Sequence, residues 1–278
     1  MKYLADLHVH TDASDGTDTP AQAVERARRL GLRAIAVTDH DTVSGVPDAV
    51  KAGMEFGVDV VPGVELSVNC GGFEIHVLGY YLDITSDILR QVFTQVESER
   101  MERNEKIADL LEKAGYPISA DELKSRRAGR VIARPHIAEM LYERGCVGSV
   151  KEAFDKLIGD GKPFCRPITH MDIKKAAELI KAAGGAAVLA HPIKYKKRGA
   201  DIAHIVDIAR DAGFAGIEVD YPKHTEEDKA YLRSIAERYG FIATGGSDYH
   251  GIYRPDVEMG DGNAPISILE KLRQAAER

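Results

Sequence analysis

Short apolar runs alternate with amphipathic stretches of helical spacing at both ends of this 278-residue chain, and that alternation narrows the fold more than any other feature. Strands are expected at Tyr3–Leu7, Arg33–Val37 and Glu74–Leu82, with Val58–Val61 and Val64–Val68 forming one strand or a broken one around Pro62 and Gly63. Helices are expected at Thr19–Leu30, where Thr19 suits the N-cap and Pro20 the first helical position, and at Pro47–Phe56. The C-terminal part resumes the pattern: helix Ile173–Ala183, strand Ala186–Ala190, helix Ile202–Ala212, strand Gly216–Val219, helix Glu226–Tyr239, strand Phe241–Thr244 and helix Ile266–Ala276. Strand, helix, strand with short connections implies parallel strands joined as βαβ units. About seven such units suggest an α/β barrel, closed or nearly so, with an open doubly wound sheet as the alternative.

The alternation stops after Asp83. Ile88–Ala114 reads as one long, charged amphipathic helix, followed by shorter helices at Asp121–Ser125, Pro135–Arg144 and Ser149–Ile158. Gly159–Gly161 and Pro163 end this region. The expected organisation is a barrel domain from 1–83 and 167–278, interrupted by a helical domain, 84–166, that caps the substrate.

Composition serves mainly to exclude. Acidic residues outnumber basic ones 44 to 37, for a formal charge of −7, which argues against a general nucleic-acid coat protein. No stretch approaches the ~20 apolar residues of a membrane span. The opening MKYLADLHVHTD turns polar within six residues, without the apolar core of a signal peptide. Cys70, Cys146 and Cys165 are widely spaced and form no CxxC pair, so reduced thiols and a cytoplasmic location are expected.

The chemistry-bearing residues fall at or just past predicted strand ends. The first strand runs into His8 and His10, with Asp15 shortly after; the second runs into Asp39, His40 and Asp41. Glu65 lies in GVELS, His76 in EIHVLGY and His191 in LAHP, and FIAT leads through Gly245-Gly246 to Asp248 and His250. In a parallel barrel the strand C-termini open on one face, so these groups would converge in one cup. Six of the ten histidines would join several carboxylates there. So many imidazoles are not all protonated cheaply, and crowded carboxylates need positive charge; divalent cations satisfy both. His8 and His10 are two apart on an extended segment and face the same way, Asp248 and His250 repeat the spacing, and Glu65 has two oxygens with which to bridge two ions. Mixed imidazole and carboxylate donors suit manganese, iron or zinc.

In order along the chain, DLHVHTDASDG, VTDHDT, GVELS, HVLGY, LAHP and GGSDYH resemble the motifs of the PHP (polymerase and histidinol phosphatase) superfamily, and RPHIA in the helical insertion extends the likeness. The chain looks most like the stand-alone PHP phosphoesterases that act on nucleotides, the 3′,5′-nucleoside bisphosphate phosphatases and related 5′-to-3′ exoribonucleases. The resemblance implies a distorted (β/α)7 barrel holding three divalent ions. One would be held by His8, His10, Glu65 and Asp248; a second by Glu65, His76 and His191; a third by Asp15, His40 and His250. The basic run Lys194–Arg198 differs from the usual pattern.

The expected reaction is hydrolysis of a phosphomonoester by in-line attack of a metal-bound hydroxide, with Glu65 and Asp248 central to the site. Arg134 and His136 are the candidates for catalytic phosphate contacts, since arginine suits bidentate phosphate binding. Ser67, Tyr221 and His224 are further candidate substrate contacts, Tyr221 and His224 by stacking on a base or touching a phosphate. Lys124, Arg126, Arg127 and Arg130 form either a solvated face or a basic rim for a second phosphate or an RNA end. His170 and His204 are expected to be structural or exposed. The expected partner is a small nucleotide or a short 5′-phosphorylated RNA, with no membrane and no obligate protein partner. A histidinol phosphate phosphatase and a non-catalytic, metal-stabilised PHP module are the alternatives.

Overall fold

The computed structural model describes residues 4–125, 132–159, 161–166 and 171–277. Tyr3, Arg126, Arg127, Arg130 and His170 lie outside the described residues. The chain divides into two compact units, Met1–Gln91 with His170–Arg278, and Val92–Thr169. The division falls within a helix rather than at residue 84, ahead of it.

The first unit is built on one sheet. Its strands are β1 (Leu4–Val9), β2 (Ala34–Val37), β3 (Asp59–Cys70), β4 (Phe73–Tyr80), β5 (Met171–Asp172), β6 (Ala186–Leu189), β7 (Gly216–Asp220), β8 (Ile242–Gly245) and β9 (Ala264–Pro265). Their order is β8-β7-β6-β4-β3-β2-β1-β9, with β5 paired to β3. The sheet curls until its ends meet. The Asp248 N–H donates to the His8 carbonyl at 2.8 Å, and the His10 N–H to the Tyr249 carbonyl at 3.0 Å. The result is a nearly closed α/β barrel.

Most pairings are parallel, as βαβ units require, but β4 is an exception. It runs antiparallel to both β3 and β6. The expectation of parallel strands therefore fails at β4, and also at β9, which pairs antiparallel with β1. Gly71 and Gly72, both at positive φ, turn β3 straight into β4 as a hairpin, leaving no room for a crossover helix. β3 itself is one continuous strand through Pro62 and Gly63.

Packing follows the strand period. In β2, Ala34 and Ala36 face a cluster with Leu7, Leu78, Tyr80 and Val188, while Ile35 and Val37 face the helices α1 (Pro20–Arg29) and α2 (Val46–Phe56). Thr19 caps α1, its side chain accepting from the Gln22 N–H while the Gln22 side chain accepts from the Thr19 N–H.

Helix α3 (Asp87–Lys113) leads into the second unit, with α4 (Ala120–Ser125), α5 (Arg134–Glu143) and α6 (Val150–Ala153), which continues as a wider turn through Phe154–Ile158. Ile107, Leu111, Leu123, Ile137 and Leu141 form that unit's own core. The remaining helices belong to the first unit: α7 (Ile173–Ala182), α8 (Pro192–Lys196), α9 (Ile202–Asp211), α10 (Glu226–Tyr239) and α11 (Ser267–Ala276). No helix among the described residues is long and apolar enough to cross a membrane.

Candidate metal centre

The barrel brings together all nine residues named as ligands. His10, Asp15, His40 and His250 offer donor atoms within 4.8 Å of one another; so do His8, His10, Glu65 and Asp248, and so do His40, Glu65 and His76. The second of these groups coincides with the first expected set. In the other two, His10 joins Asp15, His40 and His250, and His40 rather than His191 completes the compact group with Glu65 and His76. His191 is still adjacent, its Nε2 lying 3.0 Å from Glu65 Oε1. Glu65 is the common member: its Oε1 faces His76 Nδ1 at 2.8 Å and His8 Nε2 at 3.3 Å, and its Oε2 faces His10 Nε2 at 3.1 Å and His40 Nδ1 at 3.2 Å. His76 reaches the centre from mid-strand although β4 runs the other way, directly opposite Ser67 on β3, two residues past Glu65.

The local backbone is shaped around these side chains. His191 and Asp248 follow β6 and β8 at φ 26° and 57°, a left-handed region that costs a non-glycine residue on the order of 1–3 kcal/mol. Both are pinned: the His191 N–H donates to Glu218 Oε2 at 2.7 Å, and the Asp248 N–H to the His8 carbonyl. Gly246 has to be glycine, since a Cβ there would lie 2.3 Å from His8 Cβ. Asp39 accepts from the Thr11 N–H, the Thr11 hydroxyl and the Ser14 hydroxyl, which folds the 11–15 loop so that Asp15 turns toward His10 and His250.

The donors ask for cations. Among the described residues, His8 Nε2, both ring nitrogens of His10, His40 Nδ1 and Glu65 Oε2 are buried without a hydrogen-bond partner of good geometry. Each such atom costs about 1–3 kcal/mol if nothing answers it. Lone pairs from carboxylates and neutral imidazoles converging on shared points are answered by divalent metal ions, and the absence of thiolate among them suits a harder metal. The residues therefore fit the group.

Charge in the cup is finely divided. Burial pushes the Glu65 carboxyl up, but His76, His8 and His40 outweigh it and hold it well below the usual carboxylate range. Burial also lowers His10 and His76, yet the carboxylates beside them win: the nearby Asp248 and Glu65 lift His10 to about 9, and the charge of Glu65 lifts His76 to about 9. At His40 burial prevails and drives the ring down to about 3; at His191 burial, aided by Lys194, drives it well below its ordinary value. Without metal, protons on a few imidazoles balance the acids.

Two residues that the sequence reading did not single out orient the ligands. Glu218 Oε1 lies 2.9 Å from His8 Nδ1, and the Tyr195 hydroxyl lies 3.0 Å from His191 Nδ1 while accepting from the His76 N–H at 2.7 Å. Such partners set which ring nitrogen faces a metal. A glutamate inside the apolar strand GIEVD was the signal for the first, because a fully buried charge on a strand needs a specific partner; Tyr195 gave none.

The remaining candidates are placed as follows. Ser67 is buried, with its N–H on Asp41 Oδ1 at 3.0 Å. Tyr221 is buried, donates its hydroxyl to Asp248 Oδ2 at 3.0 Å and has its ring beside His191, His224 and the Lys194 ammonium, so it supports Asp248 rather than offering a free face. His224 bonds the Val219 carbonyl through Nδ1, and its buried Nε2 has no partner among the described residues. In the second unit, Arg134 begins α5 with Nη1 3.7 Å from Cys165 Sγ. There the Ala133 N–H donates to His136 Nδ1 at 2.9 Å, leaving Nε2 as the protonated nitrogen. Lys124 pairs with Glu105, and His204 is exposed.

A nearly closed α/β barrel with a cup of imidazoles and carboxylates defines a class of metal-binding barrel proteins. The PHP domain profile matches residues 6–242, and the chain belongs to the PHP-domain family. A Haemophilus influenzae protein named 5′-3′ exoribonuclease is 34% identical over 245 residues, covering 88% of this chain and 89% of that one. A Chromobacterium violaceum 3′,5′-nucleoside bisphosphate phosphatase is 32% identical over 268 residues, covering 96% and 92%. A solved structure from Bifidobacterium adolescentis, assigned as a metal-dependent phosphoesterase, superposes with a TM-score of 0.91 at 28% identity, covering 98% of this chain and 96% of that one.

Proposed function

We infer that this metal-dependent phosphoesterase hydrolyses phosphomonoesters of nucleotides, 3′,5′-nucleoside bisphosphates foremost and the 5′ ends of short phosphorylated RNA second. The observation that carries the reading is the shared position of Glu65, from which the donor groups His8–His10–Asp248 and His40–His76 both extend. Relatives that act on a nucleoside bisphosphate and on RNA support the nucleotide class.

We assign three divalent ions, manganese, iron or zinc, to the three donor groups. Bound there, they would lower the pKa of water and neutralise phosphoryl oxygens. The chain's residues do the rest. Glu65 turns Oε1 to His8 and Oε2 to His10, while Asp248 presents Oδ1 to both, which fixes the spacing of the donor groups. The closed rings of His8 and His10 exclude water from the floor of the cup, while His40 and His76 keep some exposure at its rim. Arg134 offers a planar fork of donors and His136 its Nε2–H for the substrate's phosphate. Ser67 and His224 are assigned as nucleotide contacts, and Tyr221 acts on the substrate side only through Asp248, which its hydroxyl holds.

A substrate panel tests this. Manganese-loaded protein is expected to release phosphate from adenosine 3′,5′-bisphosphate with a kcat/KM at least about 100-fold above that for histidinol phosphate, a gap on the scale of specific polar recognition. Equal rates, or a preference for histidinol phosphate, would overturn the nucleotide assignment.

A further inference from the structure

Two cations meet on one oxygen of Asp248. Lys194 Nζ lies 3.0 Å from Asp248 Oδ2 and Arg254 Nη1 lies 2.5 Å from it, with the Tyr221 hydroxyl at 3.0 Å. The other oxygen, Oδ1, faces His8, His10 and His250. We propose that Lys194 and Arg254 form a phosphate-binding subsite on the edge of the metal cup, in which Asp248 holds both cations ready and the substrate's phosphate takes up their remaining donors. The proposal rests on the phosphoesterase reading and deepens it.

Charge balance favours a ligand role over simple neutralisation. One carboxylate faces two full cations, and its Oδ1 is already turned to the imidazoles that would share a metal with it. At the shared oxygen the surplus is positive, with Glu65 and Asp15 adding negative charge from further off, and it lies at the edge of the cup. Donor count agrees. Arg254 engages only Nη1, bonding the Asp248 side chain and, at 2.9 Å, the Asp248 carbonyl; its Nη2 and Nε bond nothing among the described residues. Lys194 spends one of its three donors on Asp248 and rests over the Tyr221 ring. Neither side chain is sealed in, with 34% of Lys194 and 24% of Arg254 exposed, so an anion from solvent can reach both. A guanidinium fork beside an ammonium suits a tetrahedral anion of several oxygens better than a second carboxylate.

Position supports the same role. Lys194 lies one helical turn past His191 on α8, and Arg254 follows His250 through the short turn Gly251–Tyr253. Each cation is thus carried by a segment that also presents a ligand, which fixes its distance from the cup. The rest of the basic run goes elsewhere: Lys196 lies over the Tyr231 ring, and Lys197 Nζ approaches the Lys223 carbonyl.

The test uses the manganese-loaded full chain and the variants Lys194→Met, Lys194→Arg and Arg254→Met. Inorganic phosphate binding is measured by calorimetry, and bound metal by elemental analysis. Each Met variant is expected to weaken phosphate binding at least tenfold at unchanged metal content, with Lys194→Arg retaining most of the affinity. Unchanged phosphate affinity would overturn the proposal. So would a loss of metal that parallels the loss of phosphate, since the pair would then only position Asp248. Because calorimetry needs no turnover, wild-type protein that binds phosphate through these residues but cleaves no nucleotide would sink the nucleotide reading and leave the subsite standing.

Discussion

Glu218 ties two ligands from different strands together: its Oε1 sits 2.9 Å from His8 Nδ1, and its Oε2 accepts the His191 N–H at 2.7 Å. The first contact leaves His8 Nε2 to face the cup; the second holds His191 in its left-handed backbone conformation. Glu218→Gln weakens the charge that orients the ring and puts an NH2 where one of two acceptors stood. Metal affinity is expected to fall about 10–100-fold, the usual effect of losing such a partner. Calorimetric titration of stripped protein with manganese checks this, and an unchanged affinity would show that β1 and β6 hold the two histidines without it.

Gly246→Ala is expected to destabilise the barrel where its sheet closes. The new Cβ would fall 2.3 Å from His8 Cβ and 2.6 Å from the His8 nitrogen, both on the strand that would have to move. Overpacking of this kind costs about 1–3 kcal/mol. Urea denaturation should show that loss, together with weaker metal binding; a variant as stable as wild type would mean that the closure is looser than described.

Stripped and metal-loaded protein should differ in their response to pH. His10 and His76 are raised to about 9 in the metal-free cup, above the ordinary 6.5. Groups raised on folding contribute stability that is complete below about pH 6.5 and is lost as pH climbs toward 9. The melting temperature of stripped protein is therefore expected to fall over that window. Ions must displace those same protons, so manganese affinity should rise across it, with proton release on binding. Metal-loaded protein should hold its melting temperature. Flat curves for the stripped protein would contradict the charge balance around Glu65.

Asp248→Asn separates an enzyme from a metal-stapled module. The amide leaves Lys194 and Arg254 without their counter-charge and takes one carboxylate from the cup. Phosphate release is expected to drop by more than about 100-fold, on the scale seen when a preorganised electrostatic partner is removed. A variant that melts earlier but turns over normally would favour the module.

Much of this was legible in the sequence. Helix α10 falls at Glu226–Tyr239 as its period indicates, and Thr19 caps α1 as its position before Pro20 suggests. The ligands were legible because histidine and acid at successive strand ends have few structural uses. Strand direction was not, because an apolar run reads the same both ways; only Gly71-Gly72 betrayed the hairpin that turns β4 around. The partition of ligands was also hidden. His10 and His40 each reach two donor groups because of how the loops after β1 and β2 fold, and Asp39 controls one of those loops through side-chain bonds to Thr11 and Ser14. Arg254 carried no signal, since its partner Asp248 becomes a neighbour only through the turn at Gly251.

The most direct test titrates manganese into chelator-stripped protein while following phosphate release from adenosine 3′,5′-bisphosphate. The account expects no release at the start and activity that returns as the cup fills, saturating near three ions per chain. Release that survives stripping, or a filled cup that frees no phosphate, would contradict it.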